Sequence, residues 1–200
     1  MTRLLLIGAP GSGKGTQSTA LSRVYSVPAI STGDILRASV RDGGPPFAEE
    51  FKRHMNSGGI PPASLVKDVV LGRLRLPDCG SGFLLDGYPR LLEQIEELDE
   101  FLYEGGQRLD AAVELAVDDG ELRRRLTLRH MAFDRVDDEP EIVIRRLEVY
   151  RKATAPLIDV YNRRGLLLRI DGDGSNEEVT GRVVHALVEF GIPHGSSAGS

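Results

Sequence analysis

The stretch "GAPGSGKGTQ", residues 8–17, packs four glycines, one proline and one lysine into ten positions. It has too few bulky side chains to fill a core. What flanks it decides its meaning. Before it comes "RLLLI" (3–7), a short apolar run ended by glycine, which reads as a buried strand. After it "GKGTQSTALSRVY" (13–25) has helical character, with Leu21 and Val24 on its inner face. A strand, a glycine-rich loop with one lysine, and then a helix is the setting of a phosphate-binding loop. Glycines let successive backbone N–H groups point at one anion. The helix N-terminus adds partial positive charge, and Lys14 adds a full, mobile one. Gly8, Gly13 and Lys14 fit G-x-x-x-x-G-K, but Gly15 follows the lysine and the hydroxyl comes one place later, at Thr16. The plainer alternative is a tight turn beside a solvated lysine.

Working outward, the strand pattern recurs at "PAIS" (28–31), "GFLLD" (82–86), "AAVELAV" (111–117) and "LLLRID" (166–171). Helical patterns fall between them, at 33–41, 47–56, 62–75, 91–103, 119–129, 140–164 and 176–190. Strands alternating with helices predict an α/β fold: a mainly parallel sheet with helices on both faces. Such sheets bind ligands beyond the carboxyl ends of their strands. The turn-forming runs "RDGGPPF" (41–47) and "NSGGIPP" (56–62) bound two short helices, so residues 31–60 read as a small helical insertion between strands. The small, polar end "HGSSAGS" (194–200) reads as a disordered tail.

The bulk numbers close off other classes. The 200 residues fit one domain. A net charge of −5 argues against general nucleic-acid binding. The apolar run at 4–7 is far too short to span a bilayer. The single cysteine, Cys79, has no disulfide partner and no companions for a zinc site, which points to a reducing compartment.

Three further segments carry polar residues toward the same rim. In "STGDILR" (31–37), Ser31 or Thr32 caps a helix and Asp34 suits its first turn, which leaves Arg37 unexplained. In "GFLLDGYPR" (82–90), Asp86 ends a strand level with the phosphate loop, where a carboxylate can hold Mg²⁺ directly or through water, or can simply cap the next turn. Gly87 and Pro89 turn the chain and aim Arg90 at that rim. In "RHMAFDRVDDEPEIVIRRLEVYRKAT" (129–154), Arg145 and Arg151 read as a solvated face, while Arg129 and Arg135 flank a loop.

"GAPGSGKGTQ", "STGDILR", "GFLLDGYPR" followed by Gln94, and "RVDD" followed by "RRLEVY", in this order, resemble the adenylate kinases, P-loop proteins of the nucleoside monophosphate kinase family. The likeness covers about residues 1–190. It implies a P-loop NTPase three-layer fold with a five-stranded parallel sheet. The implied core is 1–30, 61–128 and 140–191, with a monophosphate-binding insertion at 31–60, a short lid at 129–139 and a disordered tail at 192–200. The implied reaction is reversible transfer of the terminal phosphate of MgATP to AMP, giving two ADP. By matching positions, Gly11, Ser12, Gly13, Lys14, Gly15 and Thr16 wrap the ATP phosphates. Arg129 and the backbone of Gly174 also meet ATP. Thr32, Arg37, the backbone of Gly58, Gly59 and Ile60, Gly87, Arg90 and Gln94 hold AMP. Arg135 and Arg146 converge on the phosphates, and Asp86 attends Mg²⁺. Gln94 offers adenine both an amide donor and a carbonyl acceptor. The resemblance further implies a cytoplasmic monomer that binds ATP, AMP and ADP, without zinc, nucleic acid or membrane.

The lid departs from the family pattern. Five residues, "HMAFD", separate Arg129 from Arg135, as in short-lid members, but His130 and Asp134 stand where those carry glycine. That bears on hinge motion, and the apolar Met131 and Phe133 suggest packing on closure. Other readings are a UMP/CMP-type kinase and a catalytically weak adenylate-binding protein.

Overall fold

In the computed structural model, which describes residues 1–41, 48–133 and 139–194, five strands form one parallel sheet. They are β1 (Thr2–Ile7), β2 (Ala29–Ser31), β3 (Gly82–Asp86), β4 (Ala111–Ala116) and β5 (Leu167–Asp171), in the order β2-β3-β1-β4-β5. Central β1 runs in register with both neighbours: Leu5 pairs with Leu85 of β3 and with Ala112 of β4. The sequence places every strand to within a residue or two. This follows because a strand buried on both faces must be apolar throughout.

Alternation along the strands feeds two cores. Leu5, Ile7, Phe83, Leu85 and Ala112 face one layer, made by α4 (Ala63–Leu74), α5 (Leu92–Glu104) and α8 (Ala155–Arg163). Leu4, Leu6, Leu84, Val113 and Leu115 face the other, made by α1 (Lys14–Tyr25) and α9 (Asn176–Glu189). Ser175 starts α9 with a capping box: its hydroxyl accepts from the Glu178 N–H at 3.2 Å, and Glu178 accepts from the Ser175 N–H at 2.7 Å. A small satellite core joins Ala9 of the phosphate loop to Leu122 and Leu126 of α6 (Asp119–Phe133) and to Val143 and Leu147 of α7 (Pro140–Val149). The remaining helices, α2 (Thr32–Arg41) and α3 (Ala48–Asn56), lie between β2 and β3 in sequence, as the turn chemistry predicts.

Three expectations are corrected. First, α6 runs to Phe133 rather than stopping near 129, so His130 and Met131 are helical and not in a loop. No glycine or proline interrupts 121–133, which removes the usual stop signal. Second, the single helix expected over 140–164 is broken at Tyr150–Thr154 by a π-helical turn, in which the Ala155 N–H bonds the Tyr150 carbonyl. Pro156 supplies the cause. It has no N–H for the Lys152 carbonyl, and its ring would crowd that carbonyl in a regular helix. Third, the chain is still held at residue 192, where the tail is expected to begin. Ile192 packs on the second core, its N–H bonds Leu187 at 2.8 Å, and Tyr25 donates to its carbonyl at 3.3 Å. The rest of the predicted tail, 195–200, lies outside the described residues, as does Arg135.

Candidate active site

The phosphate loop closes on itself before α1 begins. The Ser12 N–H bonds the Ala9 carbonyl at 3.1 Å, and the Gln17 N–H bonds Gly13 at 3.0 Å. Gly13 holds the N-cap at φ +94°, a left-handed conformation that favours glycine, and it gives the helix no side-chain cap. The first N–H groups of α1 therefore face outward for an anion. Lys14 folds back over the loop and donates to the carbonyls of Gly8 at 2.8 Å and Ala9 at 3.0 Å. Enclosure pushes its pKa down to about 8. Asp86 opposes that shift, and Arg90, Arg146 and Arg129 add to it. Three segments far apart in sequence, at 86–90, 129 and 146, thus act electrostatically on one ammonium group.

Beside the loop runs a cleft between β1, α2, α5 and α7. Lys14, Thr32, Gly33, Arg37, Gly87, Arg90, Gln94 and Arg146 line it, together with Gly58, Gly59 and Ile60. Apolar surface comes from Leu36, Phe51, Val66 and Val149. A pocket of cations and flat apolar walls suits a ligand with phosphates and an aromatic base. Arg37 is held by Asp34 at 2.5 Å. Ser31 proves to be the cap of α2, its hydroxyl accepting from the Asp34 N–H at 3.3 Å. Thr32 is left with a buried hydroxyl that has no partner among the described residues. Such a group is costly unless something else satisfies it. Gly58, at φ +69°, lies so close to α7 that an added Cβ would be 3.1 Å from the Ile142 carbonyl and 3.2 Å from Arg146.

Gln94 is 1% exposed, so it is not a surface residue of α5. Its role differs from the expected two-bond match to a base. Its Oε1 accepts from the N–H groups of Arg90 at 2.7 Å and Leu91 at 3.3 Å, which occupies the carbonyl and leaves the amide N–H groups as what it can offer the cleft. The same bonds cap α5, whose N-cap is Leu91, a residue with no polar side chain.

The remaining predicted residues lie around this cleft rather than in its lining. Gly11, Ser12, Gly13, Gly15 and Thr16 belong to the loop and the first turn of α1, and Arg129 sits on α6 just before its last turn. Asp86 is half-buried at the end of β3. Gly174 stands just before Ser175, the N-cap of α9. Its loop is clamped by Arg125, which bonds the Gly172 carbonyl twice at 3.1 Å, and by Arg182, which bonds the Asp171 carbonyl at 2.7 Å. Gln17 ties that region to α1 through the Asn176 carbonyl at 3.1 Å and Thr180 at 2.8 Å. Sequence reading missed the wall formed by Val149, Tyr150 and Thr154. The available signal was Pro156, which disturbs the helix just before it.

Among the described residues no group of three or more His, Cys, Asp or Glu side chains could hold a metal ion. A divalent cation here would draw its ligands chiefly from nucleotide phosphates and water, with Asp86 as a protein carboxylate.

Comparison with known proteins agrees with this geometry. Residues 6–166 match the family model described as adenylate kinase. The chain is 46% identical over 189 residues to the adenylate kinase of Leifsonia xyli subsp. xyli, covering 94% of each chain. It is 44% identical over 199 residues to that of Clavibacter michiganensis subsp. michiganensis, covering 100% of this chain and 99% of the other. It is 46% identical over 185 residues to that of Thermobifida fusca, covering 92% and 97%. A phosphate loop, a lined cleft and similarity along nearly the whole length converge on one conclusion: the chain belongs to the adenylate kinase family.

Proposed function

We propose that this chain transfers the terminal phosphate of MgATP to AMP, reversibly, giving two ADP. The observation that carries the reading is the meeting of Lys14, Arg90, Arg129 and Arg146 at one rim, beside a cleft that also holds Thr32 and Gln94. Phosphoryl transfer needs in-line positioning and cancellation of spreading negative charge rather than covalent help from the protein. The N–H groups between Gly11 and Thr16 take the ATP phosphates, and Lys14 neutralises charge at the transferring group. Arg90 and Arg146 grip the AMP phosphate, since a guanidinium can meet two oxygens at once. Arg37 joins them from α2. Arg129 covers the ATP side from α6, and Arg135 joins Arg146 on the phosphates. The Gly174 backbone borders the ATP base. Asp86 would hold Mg²⁺ through water, and the ion would supply charge compensation for the ATP phosphates.

The base of AMP lies against Thr32, Gly58–Ile60 and Gln94. With the Gln94 carbonyl held by the backbone, its amide N–H groups face the ring-nitrogen acceptors of adenine. The same reading makes the enzyme a cytoplasmic monomer, in keeping with its single, buried Cys79. Formation of ADP from ATP with AMP, CMP or UMP as acceptor tests it. AMP should exceed the pyrimidine nucleotides by at least about 100-fold in kcat/KM, a gap of roughly 2.7 kcal/mol. Comparable values for AMP and CMP would replace the adenylate reading with a pyrimidine one. Tight binding of both adenylates without turnover would make the protein a sensor.

A further inference from the structure

The π turn does more than interrupt a helix. In this chain three helical threonines bond back to the carbonyl four residues earlier: Thr19 to Gly15 at 3.1 Å, Thr127 to Arg123 at 3.0 Å and Thr180 to Asn176 at 2.7 Å. That is the ordinary habit of a threonine hydroxyl in a helix. Thr154 does not follow it. The carbonyl four residues back, on Tyr150, receives the Ala155 N–H across the widened turn. The hydroxyl of Thr154, a residue only 7% exposed, reaches instead across 64 positions to the Arg90 carbonyl at 3.2 Å.

That bond completes the fixation of Arg90. Its backbone N–H donates to Gln94 at 2.7 Å, its Nε donates to the Gly87 carbonyl at 3.0 Å, and its own carbonyl is held by Thr154. The third anchor differs from the first two. Gln94 and Gly87 belong to the same short segment as Arg90, whereas Thr154 continues the helix that carries Arg146. Arg146 lies eight residues earlier, about 12 Å along a helix axis. Both Arg146 and Thr154 line the cleft.

We infer that Thr154 is a positioning residue: through the π turn it fixes Arg90 relative to Arg146, so that both guanidinium groups meet one phosphate. This rests on the reading of those arginines as phosphate ligands. The extra residue in the turn frees the hydroxyl from its own helix and aims it at Arg90. A misplaced phosphate grip is felt in turnover as well as in binding.

Steady-state kinetics on Thr154→Val, Thr154→Ser and, as a control away from the site, Thr127→Val tests the inference. Valine keeps the shape and loses the hydroxyl. Thr154→Val should lower kcat about tenfold and raise KM for AMP several-fold, with KM for ATP nearly unchanged. Thr154→Ser should return both constants to within about twofold of wild type, and Thr127→Val should match wild type. Thr154→Ala carries the same expectation as Thr154→Val if the valine variant does not fold. A folded hydroxyl-free variant with wild-type kcat and KM for AMP would overturn the inference. So would a serine variant as impaired as the valine one, since that would make the role one of packing. If wild type forms ADP while Thr154→Val equals it, only this inference fails. If wild type forms no ADP from ATP and AMP, the functional reading fails and takes this inference with it.

Discussion

Gln94 carries two tasks on one amide, and substitutions can separate them. Gln94→Glu keeps an oxygen for the N–H groups of Arg90 and Leu91 but replaces the amide donor with a charged acceptor. It should fold normally and lose at least about 100-fold in kcat/KM for AMP, with KM for ATP little changed. Gln94→Leu also strands two backbone N–H groups, each worth about 1–3 kcal/mol, so its melting temperature should fall well below that of Gln94→Glu. Equal melting temperatures would show that the cap is not needed. Lys14 invites a different test. Its pKa lies below the ordinary lysine value when folded, so the folded state is penalised for the charge at every pH below about 8. As pH rises from about 8 toward 10.5, the folded form releases the proton and the penalty fades, so wild type gains stability over that window. Lys14→Met should thus be at least as stable as wild type at pH 7, lose that advantage above pH 8, and turn over at least about 10²-fold more slowly. Phosphate binding favours the protonated form. Calorimetry at pH 8.5–9 in buffers of different ionisation enthalpy should therefore register proton uptake with ATP, and affinity should decline with rising pH. Binding with no proton exchange would remove Lys14 from the phosphate.

At the scale of elements, the site depends on how α6 and α7 present their arginines. Arg145 is exposed and Arg146 is half-buried against the cleft, so neighbours in sequence should differ sharply in effect. Arg146→Ala should cost roughly 2–5 kcal/mol in kcat/KM terms, and Arg145→Ala close to nothing. Similar losses would mean that the register of α7 is misassigned. His130 lies inside α6 rather than in a loop, and glycine there costs about 1 kcal/mol of helix. His130→Gly should loosen the turn that carries Arg129 and alter kcat more than nucleotide affinity. Met131, on the same helix, is 77% exposed. Gly58 is where the α2–α3 segment touches α7. Gly58→Ala would demand a left-handed alanine and push on Arg146, so it should lower the melting temperature and raise KM for AMP.

At the scale of the whole molecule, charge and site oppose each other. A chain of net charge −5 repels an anionic nucleotide, yet four cations crowd one rim. The attraction must come from that local field, which salt screens over about 10 Å at 0.1 M. KM for ATP should therefore rise as ionic strength increases from about 0.02 to 0.5 M, and a flat response would count against the rim as the docking point. The sheet that positions the rim is sealed on both faces. Leu5 is fully buried at its centre, and Leu5→Ala should cost about 2–5 kcal/mol of stability while leaving the nucleotide constants of the folded fraction intact.

The sequence by itself determined whatever is written in local chemistry: five strands as apolar runs, the phosphate loop as glycines between strand and helix, and the order of the polar motifs. These are legible because burial on both faces of a parallel sheet forces composition, and because an anion-binding turn forces glycine. What only the tertiary structure decided depends on partners distant in the chain. Gln94 reads as a donor and acceptor for a base until the N–H groups of Arg90 and Leu91 are found on its carbonyl, which leaves only its amide N–H groups to offer. His130 and Met131 read as loop residues until α6 continues through them. Ser31 and Thr32 are equivalent caps on paper, and only the fold gives the cap to Ser31 and leaves the buried Thr32 hydroxyl without a partner among the described residues. Thr154 carried no motif at all. Pro156 signals a disturbance in the helix, but the carbonyl to which that disturbance delivers the hydroxyl lies 64 residues away, and such a distance closes only when the chain folds.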